Sequence, residues 1–348
     1  MNALTDTLDD WRDSLARRLP SGGLVRTLGV AVAIYLLVTV LLGMYWSMAP
    51  AAFDVRERAE ILAAAEGGEV VTGSVTTGAL IGVMETLLEK PGGFLYNDRL
   101  PPGLWLDNMP NWEYGALIQV RDLARALREV LSRSQSQSRE DEDLAQAEPN
   151  FNFNADSWML PASESEYRDG LDYMRGYFRR LSDPDAANAQ FYARADNLRY
   201  WLSTVESRLG SLSQRLSASV GQVRVNTDLA GDDVATQSTL AAEQQMVRTP
   251  WLEIDDVFYQ ARGTLWALIQ FLNAAEVDFA EVLENKNAVV SLRQIIRELE
   301  ATQGIVWSPM VLNGSGFGVM ANHSLVMASY ISRAHAAIID LRELLADG

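Results

Sequence analysis

The chain has no cysteine, two histidines and two lysines. The missing cysteines exclude disulfides, thiolate metal sites and cysteine nucleophiles. They fit a bacterial periplasm without requiring one. His323 and His335 leave almost no material for a Ser-His-Asp triad or a multi-histidine metal site. On one helix they would point about 120° apart, so they cannot easily share an ion. No metal and no other cofactor is expected. Apart from Lys90 and Lys286, every basic residue is an arginine, which reads as GC-rich coding rather than as function.

Charge is also missing from one long stretch. No charged side chain occurs between Arg26 and Asp54, and the gap holds "TLGVAVAIYLLVTVLLGMYWSMA", from Thr27 to Ala49. This exceeds the roughly 20 residues that cross a bilayer. Tyr45 and Trp46 lie near its end, where aromatic rings favour the headgroup zone. A cleaved signal peptide would have an apolar core of only about 7–15 residues, so residues 24–49 read as an uncleaved signal anchor. Arg12, Arg17, Arg18 and Arg26 precede it, and Arg56 and Arg58 follow. The positive-inside bias then leaves the N-terminus in the cytoplasm and the large C-terminal domain in the periplasm. Within residues 1–23, Leu4, Leu8, Trp11, Leu15 and Leu19 share one helical face, as in an amphipathic helix lying on the inner leaflet.

What is abundant is acid and apolar surface. The net charge is −17 and 48% of residues are hydrophobic. Residues 1–53 carry four aspartates and four arginines, so the whole excess lies in the domain that follows. Such a domain has a real core, and it repels nucleic acid.

Helical periodicity dominates after residue 53. It predicts short helices through Val55–Leu62 and Leu80–Leu87, and a longer one from Leu117 to Leu131. Residues 54–131 form a first helical part. "SRSQSQSREDEDLAQAEPNFNFNADS" follows, and residues 132–158 read as a polar, acidic, mobile linker. Residues 159–348 read as the main bundle. Ser163 and Glu166 have capping-box spacing, and Asp183-Pro184 marks a turn and a new helix start. Phe191, Ala195, Leu198, Leu202, Val205, Leu209, Leu212 and Leu216 alternate by four and three. So do Ile254, Phe258, Ala261, Leu265, Leu268, Leu272, Ala275, Phe279 and Val282. These heptad stripes need a helical partner, in this chain or another. A weak helix is expected up to Val247, and a break near Asn285–Asn287. The fold class is therefore all-α: one transmembrane helix, then a long-helix bundle with coiled-coil-like seams. Two loops rich in Gly, Pro and aromatics interrupt it, Pro91–Gly115 and Gly304–Ser324.

The blocks "EKPGGFLYND", "DNMPNWEYGALIQVRDL" and "VWSPMVLNGSGFGVMANHSLVMASYISRA", with the N-terminal anchor, resemble an uncharacterised family of proteobacterial inner-membrane proteins known only as a domain of unknown function. The resemblance covers nearly the whole chain. It implies an envelope location and a single-pass topology, and it supplies no catalytic residues.

In the first loop, Trp105, Trp112 and Tyr114 beside Asp98, Asp107 and Glu113 have the chemistry of a sugar groove. Aromatic faces stack on sugar rings and carboxylates accept from hydroxyls. The competing reading is that these rings plug the bundle end. Two of the carboxylates would serve glycoside cleavage only if held about 5–10 Å apart across a cleft, and no lytic motif accompanies them. "GSGFG", Gly314–Gly318, lacks the Lys-Ser/Thr of a phosphate loop and reads as a flexible connection. Trp307, Asn322 and His323 are the second loop's ligand-binding candidates. "DLAGDD", Asp228–Asp233, lacks EF-hand spacing and reads as a polar turn. Binding is favoured over catalysis. The expected partners are the lipid bilayer through residues 24–49, and either another envelope protein or a second copy. Peptidoglycan is the alternative ligand, bound or cleaved through the aromatic loops.

Overall fold

The computed structural model describes residues 23–134, 139–185, 188–225, 244–308, 310–315 and 318–347. Residues 1–22 of the proposed amphipathic segment (1–23) and the "DLAGDD" turn lie outside the described residues.

Helix α1, Gly23–Trp46, is the apolar run. Three hydroxyls in or just after it are satisfied without water: Thr27, Thr39 and Ser47 donate to the carbonyls four residues earlier, at 3.0, 2.6 and 2.8 Å. Val25–Trp46 is long and apolar enough to span a membrane, and nearly all of it is bare of protein.

Ten further helices follow among the described residues, and the protein is all-α. Asp54 starts α2, Val55–Ala65, by accepting the N–H groups of Arg56 and Glu57 at 2.8 and 3.0 Å. Helix α3, Ser74–Glu89, is apolar nearly all round, and its first twelve residues are all buried. It is the central rod of the domain. Helix α4, Asn108–Ala126, runs on through a π turn at Leu127–Leu131. Then come α5, Leu144–Phe151, α6, Ser163–Ser182, and α7, Ala195–Ser217. Helix α8, Ile254–Asp278, α9, Ala280–Asn285, α10, Val289–Glu300, and α11, His323–Ala346, complete the bundle. The principal pairings are α4 with α8 and α7 with α11, while α3 packs on α2, α4, α6 and α8.

Both heptad stripes are buried within this one chain. Leu198, Leu202, Val205, Leu209, Leu212 and Leu216 face inward on α7, and Ile254 to Phe279 do so on α8. At the α4–α8 crossing the backbones touch: a Cβ on Gly115 would collide with the Gln260 carbonyl, and one on Gly263 with the Trp112 carbonyl. Thr264 Oγ1 donates to the Gly115 carbonyl across this contact, at 3.2 Å.

Four local expectations are corrected. The stretch 132–158 is not a bare linker, because α5 lies within it and buries Leu144, Ala147 and Phe151. Its acids are not merely solvated: Arg180 pairs with Asp141 and Asp143, and Arg128 with Glu140 and Glu148. Arg121 also donates to the carbonyls of Phe151 and Phe153, both at 2.7 Å, so the end of α5 is clamped to α4. Ser163 is not half of a capping box. Its hydroxyl donates to the carbonyls of Asn154 and Ser157, at 2.8 and 2.9 Å. Pro184 does not start a helix, since α7 begins only at Ala195. Finally, residues 244–247 form a strand, β2, Gln244–Val247, antiparallel to β1, Gln222–Val225, where the sequence suggests the end of a helix.

The bundle has two chemically different ends. At one, Asp278 at the end of α8 accepts the Gly73 and Thr76 N–H groups at the start of α3, at 2.8 and 2.6 Å. The Glu69 N–H meets the Ser182 carbonyl there, and Lys286 meets the Asp347 carbonyl. The other end gathers the end of α3 and the starts of α4, α6, α8 and α11. Asn111 bonds Asp256 at 2.7 Å, Asn97 bonds Glu164 at 2.8 Å, and the His323 ring lies 6.2 Å from that of Phe258. Both aromatic loops are at this second end.

Candidate functional site

The first loop is shorter than its composition suggests. Helix α4 starts at Asn108, capped by Asp107, whose carboxylate accepts the Asn108 N–H at 2.8 Å. Pro110 falls in the first turn, where its missing N–H costs nothing. Trp112, Glu113 and Tyr114 are therefore helical. Trp112 is buried against Trp266, with ring centroids 5.0 Å apart. Tyr114 stacks on Tyr96, also at 5.0 Å.

Glu113 is wholly buried and organises the loop. Its carboxylate makes a close ion pair with Lys90 and accepts the N–H groups of Leu95 (2.9 Å) and Tyr96 (2.9 Å). Lys90 also donates to the Gly93 carbonyl at 2.6 Å. Burial pushes the Glu113 carboxyl up to about 7, while the Lys90 charge and the two backbone N–H groups pull it back down. Burial likewise raises the nearby Asp98, with Glu164 adding to the effect and Lys90 opposing it.

The sequence candidates thus divide. Trp105 is exposed and Asp107 is an exposed helix cap. Trp112 and Glu113 are core, so Trp112 has no free face for a sugar ring. In the second loop Trp307 stands 88% exposed, while Asn322 and His323 pin the loop shut. Asn322 Nδ2 donates to Asn313 Oδ1 and to the Gly314 carbonyl, at 2.9 and 2.6 Å, and its Oδ1 caps α11 at the Leu325 N–H. His323 Nδ1 accepts the Leu312 N–H at 3.1 Å. His335 lies against Gly210 of α7. Among the described residues, no cluster of three His, Asp or Glu side chains has a metal-binding arrangement.

The first loop's outer surface meets the apolar helix α1. Tyr45 faces out, and Trp46 packs against the domain core. Its indole rests on Gly92, whose φ is +88° and where a Cβ would come within 2.7 Å of the ring. Pro102 and Leu106 lie against Gly43, and an apolar groove runs between Val40 and Met44 of α1 and Trp105 of the loop.

The sequence pattern of a bacterial family described as "Uncharacterized protein conserved in bacteria (DUF2333)" matches residues 19–348. The chain belongs to this family. No curated protein and no solved structure matches it. The match takes in the whole apolar helix, both aromatic loops and every helix of the bundle. For this member of the family, function has to be read from its own surfaces.

Two residues that hold the bundle together are not legible in the sequence, Lys90 at the loop end and Asp278 at the opposite end. Lys90 stands out in the sequence only for its rarity, and nothing local names Glu113 as its buried partner. Asp278 gave no sequence signal, because it works by capping a helix about 200 residues away.

Proposed function

We propose that the protein is a single-pass component of the bacterial inner membrane. Its C-terminal helical domain lies in the periplasm and acts by binding another envelope protein, or a second copy of itself, rather than by catalysis. One observation carries this reading: the bare apolar helix is joined to the domain by its own last turns. Trp46 rests on Gly92, and Gly43 rests on Pro102 and Leu106. A leader that is cut away has no need of such a seat. The orientation rests on the arginines that precede the helix. Of the two that follow it, Arg58 is already paired with Glu85.

Of the three loop carboxylates, Glu113 holds the loop and Asp107 caps a helix. The heptad seams are filled within the chain, so a protein partner would meet some other surface. Ile61 and Val290, exposed apolar residues away from the aromatic loops, are the positions to probe. Because the chain has no cysteine, Val290→Cys in living cells gives a clean test. With the outer membrane permeabilised, a membrane-impermeant maleimide should label it before lysis. Labelling only after lysis would reverse the topology. Photo-crosslinkers at Ile61 and Val290 should then capture one envelope protein or a second copy. Silence at both would remove the partner claim.

A further inference from the structure

We propose that the loop end of the bundle is a second membrane-contact surface, lying in the headgroup layer of the bilayer that α1 crosses. This rests on the anchored reading above and adds the part of the domain that touches lipid.

The groove shared with the first loop runs along α1 from Thr39 to Ser47, about 12 Å of helix. Counting from Val25, a hydrocarbon core about 30 Å thick ends near Tyr45. Thr39 is then about 9 Å inside that edge and Ser47 about 3 Å outside it, so Pro102, Trp105 and Leu106, which face this stretch, lie at and just below the edge, about the depth at which interfacial segments settle. Irregular backbone is excluded from the lipid-exposed hydrocarbon interior, and this loop stops short of it. A tryptophan beside the end of a span, with its face open to the surroundings, is what the interface favours.

The apolar exposure continues across the end of the bundle. Leu100 and Leu104 stand out from the first loop, 70% and 53% exposed. Beside them is the turn before α6, tied to the first loop by Asn97 on the Ser157 carbonyl and by Arg99 on Asp156. There Leu160 is 92% exposed and adopts a φ of +63°. A non-glycine residue in the left-handed region is strained, and this one spends the strain presenting an apolar side chain to the outside. Trp251 and Leu252, before α8, are 73% and 76% exposed. Soluble surfaces rarely expose so many large apolar side chains at one end unless it is a contact site. The span emerging at the patch names lipid as the occupant. The surrounding charge is acidic, with Asp98, Asp107, Asp156 and Asp256 near these loops, so attachment comes from apolar insertion and not from attraction to anionic lipid.

The test uses the full chain in phosphatidylcholine nanodiscs. Single cysteines at Leu104, Leu160 and Leu252 carry a fluorescent label, with Ile34→Cys in the span and Val290→Cys at the far end as references. Spin-labelled lipids quench either near the headgroup or deep in the bilayer. The proposal expects the headgroup quencher to darken all three loop positions several-fold more than Val290, with no increase when phosphatidylglycerol is added. If Ile34 is quenched by the deep label while the three loops match Val290, the surface contact is overturned and the anchor survives. Quenching at Leu104 alone would overturn the shared plane. An unquenched Ile34 would overturn the anchored reading, and this one with it.

Discussion

The carboxylate of Glu113 and the ammonium of Lys90 form an ion pair from which water is excluded on both sides. Helix α3 ends at one partner and the other lies in the first turns of α4, so the pair fixes the loop between them. Such pairs add little net stability over an apolar substitute, but losing one partner strands a buried charge, at about 3–5 kcal/mol. Lys90→Met and Glu113→Gln should each destabilise the detergent-solubilised protein by about that much. The double variant should lose clearly less than the sum of the two. Additive losses in urea titrations would show that the two groups act independently.

The same pair gives the stability a pH dependence of defined sign. Glu113 has an ordinary value near 4.5 when unfolded and is pushed up to about 7 when folded. Between those values the folded chain holds more protons than the unfolded one, so stability falls as pH rises. The contribution is full below about 4.5 and lost by about 7, with a ceiling of about 3 kcal/mol. Asp98, Asp256 and Asp278 are also raised by burial and act in the same direction. Urea midpoints should be higher at pH 5 than at pH 7.5, and the double variant should flatten the difference. A midpoint that rises over this range would mean that attraction to Lys90 outweighs burial.

The crossing of α4 and α8 depends on two residues with no side chain. Gly115→Ala or Gly263→Ala places a methyl against main-chain carbonyls, which cannot rotate away as a side chain can. Overpacking of this kind costs about 1–3 kcal/mol or more. It should outweigh the gain of up to about 1 kcal/mol that alanine brings to a helix interior. Thermal melts of the two variants check this. A stabilised Gly263→Ala protein would mean that the helices can move apart freely.

How much of this was legible depends on the range of the interaction. The stripes from Leu198 to Leu216 and from Ile254 to Phe279 were read correctly as buried seams, because helical periodicity is a local signal. That each seam closes within the chain was not legible, since periodicity does not name its partner. Residues 144–151 were missed because only Leu144, Ala147 and Phe151 face inward, and the arginines that neutralise the flanking acids come from distant helices. Trp112 was grouped with Trp105 by proximity in sequence. The helix start at Asn108, past a proline, turns one inward and leaves the other outside.

That separation makes the wall reading testable residue by residue. Trp112→Ala removes a ring buried against Trp266 and should cost about 3–5 kcal/mol, so any loss of binding it causes would reflect the fold. Trp105→Ala removes an exposed ring and should change stability by no more than about 0.5 kcal/mol. If the first loop binds peptidoglycan, the exposed ring must carry the contact. Trp105→Ala should then abolish co-sedimentation of the detergent-solubilised full chain with isolated sacculi while leaving the melt unchanged. If the loop instead lies in the headgroup layer, neither the wild type nor Trp105→Ala should sediment. Sedimentation that survives Trp105→Ala would place any wall contact elsewhere on the domain.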